Sequence, residues 1–300
     1  MDTIILKLTE YSDVIKSELK DILTRIDKKL KITAINAGED SSYLSYLNGL
    51  KKSASLVGIE LDILNIYEND KDIFKKRLLE TLEKINSDKD NYGTIVGLPL
   101  PHNIDSTILS LNLDYKKDID GISYYNAGRL FYGNPFIVPA TPWAVFQTLI
   151  LIEKKYGYDF SGKNCIIIGR SNSVGKPLIP LLLKKNLTVT TIHTKTKEPE
   201  KISREKDLII ACCGVKRLIN NDWVKEGAIV IDVGIHCYEE DNKIKICGDV
   251  DSETILNKAY LITPVPNGIG SLTNTLLLAN CIKSYFLIEK NLEYKFSFEE

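Results

Sequence analysis

"NCIIIGRSNSVGKP", residues 164–177, decides the fold. Its first half, Cys165 to Ile168, is a short β-branched run of the kind that a parallel strand covered on both faces requires. The run stops at Gly169, a loop of small and polar residues follows, and a helix is predicted to open between Ser173 and Gly175. Backbone N–H groups at such a helix start, with little side-chain bulk in the way, suit the phosphates of a dinucleotide. The spacing is not G-x-G-x-x-G, so the segment taken alone also fits an ordinary tight strand-to-helix turn.

Towards the C-terminus, "LTVTTIHT", "DLIIACCG", "AIVIDVGI" and "YLITPVP" repeat the buried-strand pattern, and "SVGKPLIPLLLKKN" is the helix between the first two strands of this set. Towards the N-terminus, "KITAINAG", "IELDILNIY" and "YGTIVGLPLP" are strand-like. Between them lie the amphipathic "YLNGLKKSASLVGIE" and the helical "KDIFKKRLLETLEKINSD", whose Ile73, Leu78, Leu79 and Leu82 recur at helical spacing. This βαβ alternation predicts an α/β protein of two domains. The first covers residues 1–140, and a doubly wound α/β domain covers 141–273. The closing helical stretch within 274–300 is expected to pack back on the first.

The composition excludes several classes of function. Lys+Arg 39 against Asp+Glu 40 leaves a net charge of -1, which argues for neither a nucleic-acid nor a membrane surface and leaves a small molecule as the expected partner. The cysteines Cys165, Cys212, Cys213, Cys237, Cys247 and Cys281 contain no C-x-x-C pair and are expected to be buried and reduced. His102, His193 and His236 are too scattered for a metal site. "MDTIILKLTEYSD" has no basic n-region or apolar h-region, and the expected location is the cytoplasm. At the end of "TIHTKT", where a NAD site usually carries an acidic residue, stand Thr194 and Lys195. With Arg170 they suit a 2′-phosphate, which favours NADP over the alternative, NAD.

"GLPLPHNID", "KDIDG", "GRSNSVGKP", "AIVIDVGI", "GDVD" and "TPVPNGIG" together resemble, in order and spacing, the methylenetetrahydrofolate dehydrogenase/cyclohydrolase family. The resemblance runs from about Ile35 to the C-terminal helix. It implies an N-terminal α/β folate-binding domain and a Rossmann NAD(P)-binding domain facing each other across a cleft, usually in a homodimer. It also implies oxidation of 5,10-methylenetetrahydrofolate by NAD(P)+ and, in bifunctional members, hydrolysis of the methenyl product. The residues it assigns to the dinucleotide are Thr141, Gly169, Arg170, Ser171, Thr194, Gly214, Gly234 and Ile235. To the tetrahydrofolate substrate it assigns Tyr46, Gly97, Leu98, Pro99, Asp120, Pro264, Pro266 and Gly268, with Tyr46 and Asp120 as the catalytic pair. Tyr46 is expected to stack on the aminobenzoate portion and Asp120 to bind the pterin.

Two positions depart from the bifunctional pattern. The family's helix has a tyrosine followed four residues later by a lysine, one helical turn on, so that both face the folate. Counted without gaps from Gly38, or backwards from "VGIE", Tyr46 takes the tyrosine position and Leu50 the lysine position. Lys51 lies about 100° further round and is expected to point away. Where bifunctional members read V-Q-L-P-L-P, Gly97 replaces the glutamine that orients the lysine. Methenyl hydrolysis needs a proton shuttle, which leucine cannot supply, whereas hydride transfer needs mainly positioning. The expectation is a dehydrogenase without cyclohydrolase activity. The alternatives are the full bifunctional enzyme, with Lys51 swung into place, and a folate- and nucleotide-binding protein without catalysis. Asn267 and Ser271 also depart from the family's usual glycine and proline, and Asn267 is suited to a left-handed turn.

Overall fold

Short apolar runs become the strands of two separate parallel sheets in the computed structural model, which describes residues 2–38, 41–240 and 243–299. In chain order the strands among the described residues are β1 (Ile4–Ile5), β2 (Lys31–Asn36), β3 (Glu60–Asn65), β4 (Asn91–Val96), β5 (Asn164–Ile168), β6 (Thr188–Ile192), β7 (Leu208–Ala211), β8 (Ile229–Asp232), β9 (His236–Glu240), β10 (Lys243–Cys247) and β11 (Leu261–Ile262). The chain divides into two units, Met1–Asp13 with Thr141–Thr273, and Val14–Ala140 with Asn274–Glu300.

The unit centred on residues 141–273 contains a six-stranded sheet ordered β1-β11-β8-β7-β5-β6, with every pairing parallel. The chain runs from β5 to β6 on one side and then crosses to β7 on the other. The topological switch point therefore lies between the C-terminal ends of β5 and β7, the place where open α/β sheets bind ligands. β7 and β8 are buried throughout and β5 over all but its first residue, which is why their sequences show no polar alternation. The antiparallel pair β9-β10 stands apart from this sheet.

Residues 1–13 group with this sheet and not, as expected, with the N-terminal domain. The cause is local: β1 pairs in parallel with β11, the Thr3 hydroxyl donates to the Ala259 carbonyl at 2.7 Å, and the Leu8 N–H donates to Asn267 O at 2.8 Å.

The other unit contains the parallel sheet β3-β2-β4. Helix Lys71–Ser87 is capped by Asp70, whose carboxylate accepts the N–H groups of Asp72 and Ile73 at 2.9 Å. It buries Phe74, Leu78, Leu82 and Ile85 on one face, each worth about 1.5–3 kcal/mol of apolar burial. Ile73 was expected on that face but is 57% exposed, because the buried stripe follows Phe74 at i, i+4, i+8 and i+11. Helix Ser41–Val57 buries Leu47, Leu50, Ala54 and Val57 by the same logic and leaves Lys51 and Lys52 exposed. The C-terminal helix Ile269–Lys290 anchors its later turns in this unit, where the Tyr92 hydroxyl donates to Glu289 at 2.6 Å and the Ser284 hydroxyl to Lys116 O at 2.5 Å.

The cysteines are free, and Cys165, Cys247 and Cys281 are buried. Cys237, expected inside, is exposed on β9, and Cys212 and Cys213 are half-buried. No helix among the described residues is long and apolar enough to cross a membrane.

Candidate functional site

At the switch point, a cavity of about 360 Å³ opens beyond the ends of β5, β6 and β7. Its floor is Ile168 and Gly169, and its walls include Arg170, Ser171, His193, Thr194, Cys212, Cys213 and Trp223. Gly169 has φ 132°, and a Cβ there would overlap the Cys212 carbonyl. A Cβ at Gly175 would likewise overlap the Gly169 carbonyl. Both glycines are therefore required by close backbone approach. The helix opens at Gly175, and the Ser171 hydroxyl closes the loop by accepting the N–H groups of Val174 at 3.1 Å and Gly175 at 3.4 Å. Among the described residues no carboxylate lines this cavity, which fits an anionic ligand.

Arg170 and Thr194 stand where the sequence placed them, in the wall. Lys195 does not line the cavity: its side chain is exposed and its N–H donates to His193 Nδ1 at 3.2 Å. His193, Thr196 and Trp223 line the wall and were not anticipated as nucleotide contacts, since nothing in their local sequence distinguishes them.

The "VGI" and "GDVD" segments close on each other in the same unit. Asp249, buried, accepts the N–H groups of Cys213 at 2.7 Å and Gly214 at 3.0 Å, and its other oxygen lies 2.8 Å from His236 Nε2. That second oxygen fills the space of any side chain at Gly234. Asp232 accepts the N–H groups of Gly234, Asp249 and Val250, all at 3.0 Å, while burial pushes its carboxyl up to about 7. Gly234 and Ile235 line a second cavity of about 270 Å³ together with Pro264, Pro266 and Asn267. Asn267 has φ 74°, the left-handed conformation its residue type tolerates, and Gly268 is held against the Pro264 carbonyl too closely for a Cβ. Thr141 opens the helical stretch Ala140–Tyr156 and lines neither cavity.

The other unit brings Tyr46, Gly97 and Asp120 into one neighbourhood through a residue that the sequence did not single out, Tyr43. The rings of Tyr43 and Tyr46 stack 5.9 Å apart, inclined at 29°. A Cβ at Gly97 would stand 2.6 Å from Cε1 of Tyr43. Burial, and then the charge of Asp120, push both tyrosine hydroxyls well above their ordinary range, and burial followed by the nearby Asp118 pushes Asp120 up to about 7. Leu50, one turn beyond Tyr46, is completely buried, whereas Leu98, after Gly97, is 45% exposed. The Leu98-Pro99 peptide bond is cis.

Asp120 sits on a loop that is held from several sides. Asp118 accepts the N–H groups of Ile122 at 3.0 Å and Ser123 at 2.7 Å and the Asn126 amide at 2.9 Å. The buried Lys117 ammonium donates to the carbonyls of Ile85 and Asn86 at 2.8 Å and of Asp88 at 2.5 Å, at the end of helix Lys71–Ser87. From the C-terminal helix, the Asn280 amide donates to Ile119 O at 2.9 Å and Val138 O at 2.8 Å. Asn280 escaped notice because its partners are far away in sequence. Among the described residues no group of three or more His, Cys, Asp or Glu converges as a metal site.

Comparison with known proteins identifies two regions that overlap these units without sharing their boundaries. Residues 139–288 match the family model described as tetrahydrofolate dehydrogenase/cyclohydrolase, NAD(P)-binding domain, and residues 6–120 match its catalytic domain. The bifunctional protein FolD of Caldanaerobacter subterraneus subsp. tengcongensis is 38% identical over 97% of this chain and 100% of its own. The bifunctional methylenetetrahydrofolate dehydrogenase/cyclohydrolase structure from Campylobacter jejuni matches with TM-score 0.84 and 34% identity, over 97% of this chain and 100% of that one. The corresponding Trypanosoma brucei structure, complexed with NADP cofactor and inhibitor, matches with TM-score 0.86 and 26% identity, over 95% and 98%.

Proposed function

Since the chain belongs to the tetrahydrofolate dehydrogenase/cyclohydrolase family, we propose that it is a methylenetetrahydrofolate dehydrogenase that passes a hydride to NADP+ and releases the methenyl product unhydrolysed. The observation that carries this reading is the pairing of a wholly buried Leu50, one turn from Tyr46, with a Gly97 whose side-chain space is filled by the Tyr43 ring. Hydrolysis of a methenyl bridge requires a group that takes a proton from the attacking water. Tyr43 and Tyr46 carry protonated hydroxyls at neutral pH, as any tyrosine does, and burial, followed by the nearby Asp120 charge, holds them further in that form. The exposed Lys51 lies off the buried face of the helix.

Among the described residues, Asp120 is the titratable group whose charge acts on both tyrosines. With its carboxyl near 7 it is partly protonated at neutral pH, and so can both donate to and accept from the amide-like edge of a pterin. In this reading that pairing occupies it.

A bound nicotinamide dinucleotide supplies the hydride-accepting carbon. Gly169, Ser171 and the start of helix Gly175–Lys184 would hold its phosphates, and Arg170 and Thr194 its 2′-phosphate, in a cavity without carboxylates. Lys195, expected to share that role, is left out because it lies outside the cavity wall. In this reading the unit Val14–Ala140 with Asn274–Glu300 supplies the main folate residues and the unit holding the six-stranded sheet the dinucleotide residues, although Pro264, Pro266 and Gly268, expected on the folate, belong to the latter unit. A cytoplasmic homodimer is the form in which we expect it to work.

Mixing the protein with methylenetetrahydrofolate and each nicotinamide cofactor tests the activity through the absorbance of the reduced cofactor. The expected result is turnover with a lower KM for NADP+ than for NAD+. Absence of turnover with both would overturn the dehydrogenase, and a preference for NAD+ would overturn the assignment of Arg170 and Thr194.

A further inference from the structure

Gly97 follows strand β4, its N–H donating to Ile35 O at 2.9 Å, and its φ lies outside the left-handed region. The backbone therefore does not require glycine there. The three atoms nearest to an added Cβ, at 2.6, 2.9 and 3.1 Å, all belong to the Tyr43 ring, so a side chain at 97 would have to displace that ring.

Tyr43 in turn is not a core residue. It is half-buried, its stacking partner Tyr46 is 40% exposed, and Leu98 beside Gly97 is 45% exposed. Two stacked aromatic rings beside an exposed leucine and a carboxyl are suited to a flat heterocycle that also offers hydrogen-bonding edges.

We propose that Tyr43, braced by Gly97, is a substrate-positioning and specificity-determining residue, an aromatic wall against which the flat rings of the folate are laid. The proposal deepens the dehydrogenase reading and rests on it for the identity of the substrate. Gly97 and Tyr43 then form one device: any side chain at 97 displaces the ring, and without the ring glycine loses its purpose.

The test is a double-mutant cycle of Tyr43→Ala and Gly97→Ala, measuring KM for methylenetetrahydrofolate, KM for NADP+, and calorimetric binding of tetrahydrofolate without cofactor. Tyr43→Ala is expected to raise the folate KM and weaken tetrahydrofolate binding about tenfold, the worth of an aromatic contact, while the NADP+ KM stays as it was. Gly97→Ala should cause a loss of the same order in the wild-type background and add none in the Tyr43→Ala background. Tyr43→Phe should restore most of the affinity lost in Tyr43→Ala, which separates the ring from its hydroxyl.

Unchanged tetrahydrofolate binding in a folded Tyr43→Ala protein, or a Gly97→Ala penalty that persists without Tyr43, would overturn the proposal. Circular dichroism establishes the folding. A wild-type protein that binds tetrahydrofolate but forms no reduced cofactor would defeat the dehydrogenase reading, and the binding cycle would still decide the role of Tyr43.

Discussion

Replacing Asp120 by asparagine should make the protein more stable at mildly alkaline pH. The carboxyl titrates at about 7 in the folded chain against an ordinary 3.8, first because burial penalises its charge and second because Asp118 lies near. A carboxyl whose folded value is raised has its full stability below the unfolded value and loses stability as pH rises through the folded value. The loss therefore begins near pH 4 and is complete above pH 7, and because Asp120 keeps some contact with solvent it amounts to at most about 4 kcal/mol. Asparagine keeps the shape and never ionises, so Asp120→Asn should recover up to about 4 kcal/mol at about pH 8 and almost nothing at about pH 4.

Urea denaturation followed by far-ultraviolet circular dichroism at both pH values measures the difference. Asp232, also raised to about 7, contributes equally to both proteins and cancels. The same variant should lose folate affinity, because stabilisation at a site that holds a strained group costs function. An Asp120→Asn protein less stable than wild type at alkaline pH would mean that the carboxylate has a compensating donor and that its environment has been misjudged.

Arg170→Ala should raise the NADP+ KM by about tenfold or more and the NAD+ KM far less, since only the former brings a phosphate to the wall beside Thr194; equal effects on both cofactors would place the 2′-phosphate elsewhere. Asn280→Ala leaves the buried carbonyls of Ile119 and Val138 without their donor, and should cost about 2–4 kcal/mol in urea denaturation and loosen the Asp120 loop. A rise in folate KM with an unmoved NADP+ KM would accompany that loss, and a variant of wild-type stability would show that these bonds are dispensable.

The parts of the fold that were legible in the sequence are those with a period or a composition of their own. The β-branched interior of β5 and β7 has the composition of buried parallel strands, and the small and polar run after Ile168 that of a close strand-to-helix turn. β1 was not legible because two residues have no period, and its place beside β11 depends on a partner near the other end of the chain. Ile73 was misplaced because it and Phe74 are adjacent, and apolar character alone does not say which of the two faces inward.

The site shows the same division. Leu50 and Gly97 stood out as departures in a familiar pattern, but the physical link between the helix and the end of β4 is the Tyr43 ring, a contact between distant segments that no local signal records. Leu50→Lys with Gly97→Gln can rebuild a lysine–amide pair only if the Tyr43 ring moves off position 97.

The lifetime of methenyltetrahydrofolate at neutral pH, measured with the unmodified protein and in buffer alone, tests most directly whether hydrolysis has been lost. With Leu50 buried, Gly97 covered and both neighbouring tyrosines protonated, decay with protein should equal decay in buffer while the dehydrogenase turns over. Decay well above the buffer rate, abolished by Lys51→Met, would contradict this and show that the exposed lysine next to Leu50 reaches the substrate after all.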